Sequence, residues 1–72
     1  MEGQRLGNRL KVARAERGLS QGQLAARAGV TRQTISAIET ELYCPSALLA
    51  FQLAVQLDKR VDELFFLQGD HP

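Results

Sequence analysis

The chain has 72 residues, of which 44% are hydrophobic and 24% charged, and its formal net charge is +1. This length fits one small domain, and the nearly neutral charge neither identifies nor excludes a nucleic-acid partner. A single cysteine excludes an intramolecular disulfide, and the absence of a long apolar run or a signal-peptide core predicts a cytoplasmic protein with no membrane partner.

The first predicted helix covers residues 4–17. Leu6, Leu10 and Ala13 recur at helical spacing and form one apolar stripe. Gly18 follows, as glycine often does after the last turn of a helix. With four further helices predicted downstream, the expected fold class is all-α.

The second and third helices are predicted to form a helix-turn-helix. Ser20 and Gln23 have the spacing of a capping box at the start of the second helix, and Gly29 ends it. Thr31 offers an N-cap to the third helix, so only residues 29–31 separate the two. Two short helices joined by such a tight, glycine-containing turn are typical of this motif.

The third helix has one buried and one outward face. Ile35 and Ile38 define the buried direction on a helical wheel. The outward face carries Arg32, Gln33, Ser36 and Ala37. Arginine can grip guanine, glutamine can pair with adenine, and an alanine methyl can meet a thymine methyl. This face is therefore a candidate for reading DNA bases, and a plain solvated face is the alternative.

Residues 19–39, LSQGQLAARAGVTRQTISAIE, resemble the helix-turn-helix of the Cro/C1-type (XRE) transcriptional regulators. The resemblance continues through YCPSALLAFQLAVQLDKRVDELF and covers about residues 5–65. It implies a compact five-helix, lambda-repressor-like DNA-binding domain whose partner is double-stranded DNA. We expect this domain to span residues 1–67, and residues 68–72 to form a frayed tail.

The resemblance also implies roles for single residues. The base-reading positions correspond to Arg32, Gln33, Ser36 and Ala37, and DNA-backbone contacts correspond to Gln21, Thr31 and Thr40. Ser46 is either an ordinary N-cap or part of a second amide-rich helix end facing phosphate. Tyr43 either packs over the turn or brings its hydroxyl to a phosphate.

Arg14 and Glu39 match two positions that such regulators can join in a largely buried ion pair, and the alternative is that Arg14 also touches a phosphate. After Glu39 the family often has a residue, a glycine and a lysine, whereas this chain has Thr40, Glu41 and Leu42. An acid near phosphate repels it unless it points away or pairs with Arg32. We therefore expect weak, salt-sensitive DNA binding per subunit.

The fourth helix, Ala47–Leu57, is more apolar than one small core requires. Leucines spaced four apart form its core-facing stripe, and a short last helix over residues 61–64 completes the core. Apolar residues remain on the opposite side and after the last helix, either as tolerated exposure or as the seam of a homodimer. We expect a homodimer whose seam is Leu48, Phe51, Val55, Phe66 and Leu67.

Two functions follow from these patterns. The first is a sequence-specific transcriptional regulator, expected to be a repressor, that binds a roughly palindromic operator as a homodimer. The alternative is an antitoxin-like or adaptor module that binds another protein through the apolar face of the fourth helix. No enzyme is expected, because no catalytic triad, phosphate-binding loop or carboxylate cluster is present. No cofactor, metal or small-molecule effector is expected either.

Overall fold

A computed structural model of the protein describes residues 4–69. The elements are β1 (Gln4–Asn8), α1 (Leu10–Glu16), α2 (Gln21–Ala28), α3 (Arg32–Glu39), α4 (Ala47–Leu57), α5 (Val61–Leu64) and β2 (Phe65–Gly69). The helices enclose one hydrophobic core, whose fully buried side chains are Leu10, Leu24, Ile35, Ile38, Leu53, Leu57 and Leu64. No described helix is long and apolar enough to cross a membrane.

The prediction of an all-α fold was wrong at the two ends of the described chain. β1 and β2 form an antiparallel two-stranded sheet, here called the terminal ribbon, in which Gln4 pairs with Gly69 and Asn8 with Phe65. The helix predicted over residues 4–17 begins only at Leu10. Asn8 explains the boundary, because its Oδ1 accepts a hydrogen bond from the Leu10 N–H over 3.0 Å and so starts the helix there.

Phe66, which was assigned to the dimer seam, is partly covered by residues of its own chain. This contact was not predicted. It is half-buried and pairs with Gly7 across the terminal ribbon. A Cβ at Gly7 would lie 2.5 Å from the ring atom Cε1, and the Arg9 guanidinium lies over the ring at 4.5 Å from its centroid. Leu67, the next residue, is exposed.

The segment expected to be a frayed tail falls into two parts. Gln68 and Gly69 belong to strand β2. Residues 70–72 lie outside the described residues.

The helix-turn-helix forms through the local signals predicted for it. Ser20 Oγ accepts from the Gln23 N–H and the Gln23 side chain accepts from the Ser20 N–H, which completes the capping box of α2. Gly29 ends α2 with a φ of 73°, in the left-handed region that glycine occupies without steric cost. Thr31 then caps α3 by accepting from the Thr34 N–H. The turn thereby sets the direction of α3.

Candidate nucleic-acid interface

Helix α3 is anchored on one side and open on the other. Ile35 and Ile38 are buried in the core. Arg32 and Gln33, in the first turn, are exposed, whereas Ser36 and Ala37 are half-buried. The four predicted base-reading residues therefore differ in access, and the two with the longest side chains lie at the N-terminal end.

Arg14 and Glu39 form an ion pair that joins α1 to the end of α3. Arg14 Nε donates to Glu39 Oε2 over 2.8 Å, and Arg14 Nη2 donates to Oε1 over 3.3 Å. The remaining nitrogen, Nη1, donates to the Leu19 carbonyl over 2.9 Å. The two side chains are 14% and 6% exposed. Because every guanidinium nitrogen of Arg14 has a partner inside the fold, this side chain is not presented to a phosphate.

The ion pair extends to Arg32 through Gln21, a connection that was not predicted. Gln21 Nε2 donates to Glu39 Oε1 over 3.0 Å, and Arg32 Nη1 donates to Gln21 Oε1 over 3.4 Å. Gln21 was expected to contact the DNA backbone, but its amide spans two partners within the protein.

The predicted backbone contacts differ in what they can donate. The Thr40 hydroxyl donates to the Ser36 carbonyl over 2.9 Å, so it would have to rotate before it could donate to a phosphate. Ser46 Oγ accepts from the Leu49 N–H over 3.1 Å, which leaves its proton available. Tyr43 is exposed, and Thr31 is exposed at the N-cap of α3.

Glu41 contacts the terminal ribbon and not Arg32. Its Oε1 accepts from Gln68 Nε2 over 2.5 Å and lies 3.7 Å from Arg5 Nε. Its φ is 65°, in the region that favours glycine, and the following residue, Leu42, is exposed. The acid predicted to weaken DNA binding thus has partners on both strands.

The outer face of α4 is apolar and open. Leu48, Phe51 and Val55 are 69%, 61% and 74% exposed. A depression of about 410 Å³ lies beside them, and its lining consists of Phe51, Ala54, Val55, Lys59, Arg60, Val61 and Asp62. Of the two other residues assigned to the seam, Leu67 is exposed and Phe66 is half-buried beneath Arg9.

Comparisons with known proteins match this geometry. A helix-turn-helix family model matches residues 10–64. YgzD of Bacillus subtilis, an uncharacterized HTH-type transcriptional regulator, is 39% identical over 64 residues, which is 89% of this chain and 97% of that protein.

Solved structures agree in fold. The crystal structure of SinR in complex with DNA is 36% identical, with a TM-score of 0.70, and the match covers 75% of this chain and 87% of that one. The transcriptional regulator VanUg, at 14% identity, shares the fold with a TM-score of 0.80 over 97% of this chain and 93% of its own. From the family match and these relatives, the chain belongs to the Cro/C1-type (XRE) helix-turn-helix family of DNA-binding transcriptional regulators.

Proposed function

We propose that the protein is a repressor that binds a roughly palindromic operator as a homodimer and reads bases in the major groove with α3. The observation that carries the proposal is the two-sided environment of this helix. Ile35 and Ile38 hold it against the core, while Arg32 and Gln33 stand exposed at its N-terminal end. Helix-turn-helix proteins place this part of the second helix of the motif against base edges.

The distribution of charge around α3 favours contact with DNA. Its one acid, Glu39, is nearly buried and is neutralised by Arg14, so it does not oppose a phosphate. Arg32 uses one nitrogen on Gln21 and keeps other donors, enough to grip guanine through two acceptors. In this proposal Gln33 pairs with adenine, and Ser36 and Ala37 contact bases only where the helix lies deep in the groove.

Contacts to the DNA backbone would come from helix ends. Residues Gln21, Thr31 and Ser46 lie at the starts of α2, α3 and α4, where free amides and the helix dipole favour phosphate. Thr40 and Tyr43 would add contacts just past α3. None of these side chains carries a positive charge, so we expect modest affinity per subunit and a strong dependence on the second subunit.

The open face of α4 supports the homodimer. Leu48, Phe51 and Val55 lie at spacings of three and four on one side of this helix, and all three are largely exposed. A two-fold axis beside this face would bury them against their counterparts, with Leu67 and the covered Phe66 at its margin. Such a dimer presents two copies of α3 to half-sites about one helical turn apart, which is why the operator should be palindromic.

Repression requires only that the protein binds its operator. A protein that occupies an operator blocks access to the promoter without any contact to polymerase. Activation would require an additional surface for polymerase. We therefore propose a repressor.

Selection of duplexes from a random library with the purified protein tests the proposal. We expect enriched sites with two related half-sites, bound with a log–log salt slope of about 0.9 for each phosphate that an arginine or lysine neutralises. No enrichment, together with no binding to any duplex, would contradict DNA binding. Enriched sites without symmetry would contradict the dimer on a palindrome.

The open α4 face and its adjoining depression also favour a second candidate, a protein-binding module of the antitoxin or adaptor type. Molecular mass measured with and without DNA separates the two candidates. A homodimer that shifts a duplex supports the regulator. A monomer that ignores DNA and captures a different protein supports the module.

A further inference from the structure

Glu41 has a left-handed backbone conformation that favours glycine. Its φ of 65° lies in the left-handed region, which glycine adopts freely and which costs energy for a residue with a Cβ. The loop that contains it follows α3, where a carboxylate repels phosphate unless its charge is engaged. A glutamate here carries both a conformational and an electrostatic cost, so its side-chain contacts need an explanation.

The Glu41 carboxylate is held by both strands of the terminal ribbon. Gln68 Nε2 on β2 donates to Oε1 over 2.5 Å, and Arg5 Nε on β1 lies 3.7 Å from the same oxygen. Arg5 and Gln68 are partners in the strand register. One side chain thus ties the loop between α3 and α4 to the first and last strands at once, and Arg5 offsets its charge.

A second link joins the terminal ribbon to α3 itself. Asn8 Nδ2 on β1 donates to the Ile38 carbonyl over 2.8 Å. The loop is closed onto α3 from its other side, because the N–H groups of Leu42 and Tyr43 both bond to the Ala37 carbonyl, at 2.8 and 3.2 Å. The end of α3 and the loop after it are therefore fixed between their own backbone bonds and the ribbon.

We infer that Glu41 is a positioning residue for DNA binding: held by Arg5 and Gln68, it fixes the loop over residues 40–44 and so places Thr40 and Tyr43 for contact with the DNA backbone. This inference rests on the proposed function, in which these two residues face phosphate. The terminal ribbon acts on DNA binding through Glu41, although it contributes no base-reading residue.

Electrostatics and positioning predict opposite results for one substitution. Glu41→Gly removes an acid from the DNA side and also removes the strain of a left-handed glutamate. If Glu41 only repelled phosphate, this variant would bind DNA more tightly than the wild type. If Glu41 positions the loop, the variant loses affinity for the selected operator even though its charge has become more favourable.

Asp58 provides a matched control. It is also an acid with a positive φ, of 54°, at the end of a helix, and it pairs at the surface with Arg17 over 3.1 Å. Asp58→Gly therefore makes the same change in charge and backbone freedom at the end of α4, where no ribbon contact is lost. We expect operator affinity within about twofold of wild type for this control, as for a surface change away from the interface.

The experiment compares operator affinity by fluorescence anisotropy for the wild type, Glu41→Gly, Glu41→Gln and Asp58→Gly. We expect Glu41→Gly to lose about fivefold or more, as for one lost hydrogen bond. Glu41→Gln keeps an acceptor for Gln68 and should retain most of the affinity. Tighter or unchanged binding by Glu41→Gly would overturn the inference, as would equal losses in Glu41→Gly and Asp58→Gly.

A second measurement does not require DNA. Amide hydrogen exchange by NMR reports the Leu42 and Tyr43 N–H groups in the wild type and in Gln68→Ala, which leaves the Glu41 backbone unchanged. Faster exchange in the variant supports the inference, and equal rates overturn it. A wild-type protein that binds no duplex would defeat the proposed function, while the exchange rates would still show whether Glu41 holds the loop.

Discussion

Arg14 Nε donates to Glu39 Oε2 over 2.8 Å and thereby joins α1 to the last residue of α3. The same carboxylate accepts from Gln21, which in turn accepts from Arg32. A nearly buried ion pair in the framework is thus connected in two steps to an exposed arginine at the start of α3. This network therefore connects the ion pair to Arg32, the residue proposed to read a base.

Glu39→Ala should destabilise the protein strongly. It leaves Arg14 with a mostly buried, unpaired charge, and we expect the free energy of unfolding to fall by about 3–5 kcal/mol in urea denaturation. The double variant Arg14→Met/Glu39→Leu removes both charges and should recover a large part of the loss. A loss below about 1 kcal/mol for Glu39→Ala would show that the pair behaves like an exposed one.

Arg32→Ala should reduce discrimination between operator and unrelated DNA. If Arg32 grips a guanine, its loss costs about 1–3 kcal/mol on the selected site and much less on a scrambled duplex. Lys11→Ala, which removes an exposed cation on α1 away from the depression beside α4, is the control for net charge. Equal losses on operator and scrambled DNA would assign Arg32 to the backbone.

Phe51→Lys/Val55→Lys should convert a dimer into monomers. Both side chains are largely exposed on α4, and paired lysines across a two-fold axis would repel each other. Sedimentation equilibrium measures the mass directly. Val12→Lys, at an exposed valine on α1, is the matched control and should leave the mass unchanged. A dimer that survives the α4 substitutions would place the seam elsewhere.

Gly22→Ala should stabilise the protein, whereas Gly29→Ala should destabilise it. Both substitutions add a methyl group in open space, with only Ser20 Oγ at 3.9 Å from the new Cβ in the first case. They differ in backbone conformation, because Gly29 has a φ of 73° and Gly22 lies inside α2. We expect about +0.5–1 kcal/mol at Gly22 and a loss of about 1 kcal/mol at Gly29 by thermal unfolding. Changes of the same sign would show that φ is not the deciding difference.

The features that could be predicted from the sequence depend on neighbouring residues. The capping box at Ser20 and Gln23 and the buried pair Ile35 and Ile38 each involve a spacing of three residues, and the turn at Gly29 depends on a single glycine. Local hydrogen bonds and helical periodicity decide such features, so the helix-turn-helix and the face of α3 were accessible to sequence reasoning.

The terminal ribbon could not be predicted from local sequence patterns. Leu6, Leu10 and Ala13 have helical spacing, but only the last two are in α1. Leu6 belongs to a strand whose partner, Leu67, lies at the other end of the chain. Gly7 also weakens a helix at this position and accommodates the Phe66 ring. Pairing between distant segments leaves no local period, so neither the strand nor the cover over Phe66 was predicted.

The terminal ribbon also makes the contacts of Glu41 depend on two segments that are distant in the sequence. β1 and β2 stand on either side of the five helices in the sequence, so the ribbon pairs segments that are far apart along the chain. A variant truncated after Leu64 has all the residues of the helix-turn-helix but lacks Gln68, so the loop after α3 loses its contact with β2. If Glu41 positions this loop for DNA, such a truncated chain keeps its helix-turn-helix and still binds the operator less tightly than the longer chain.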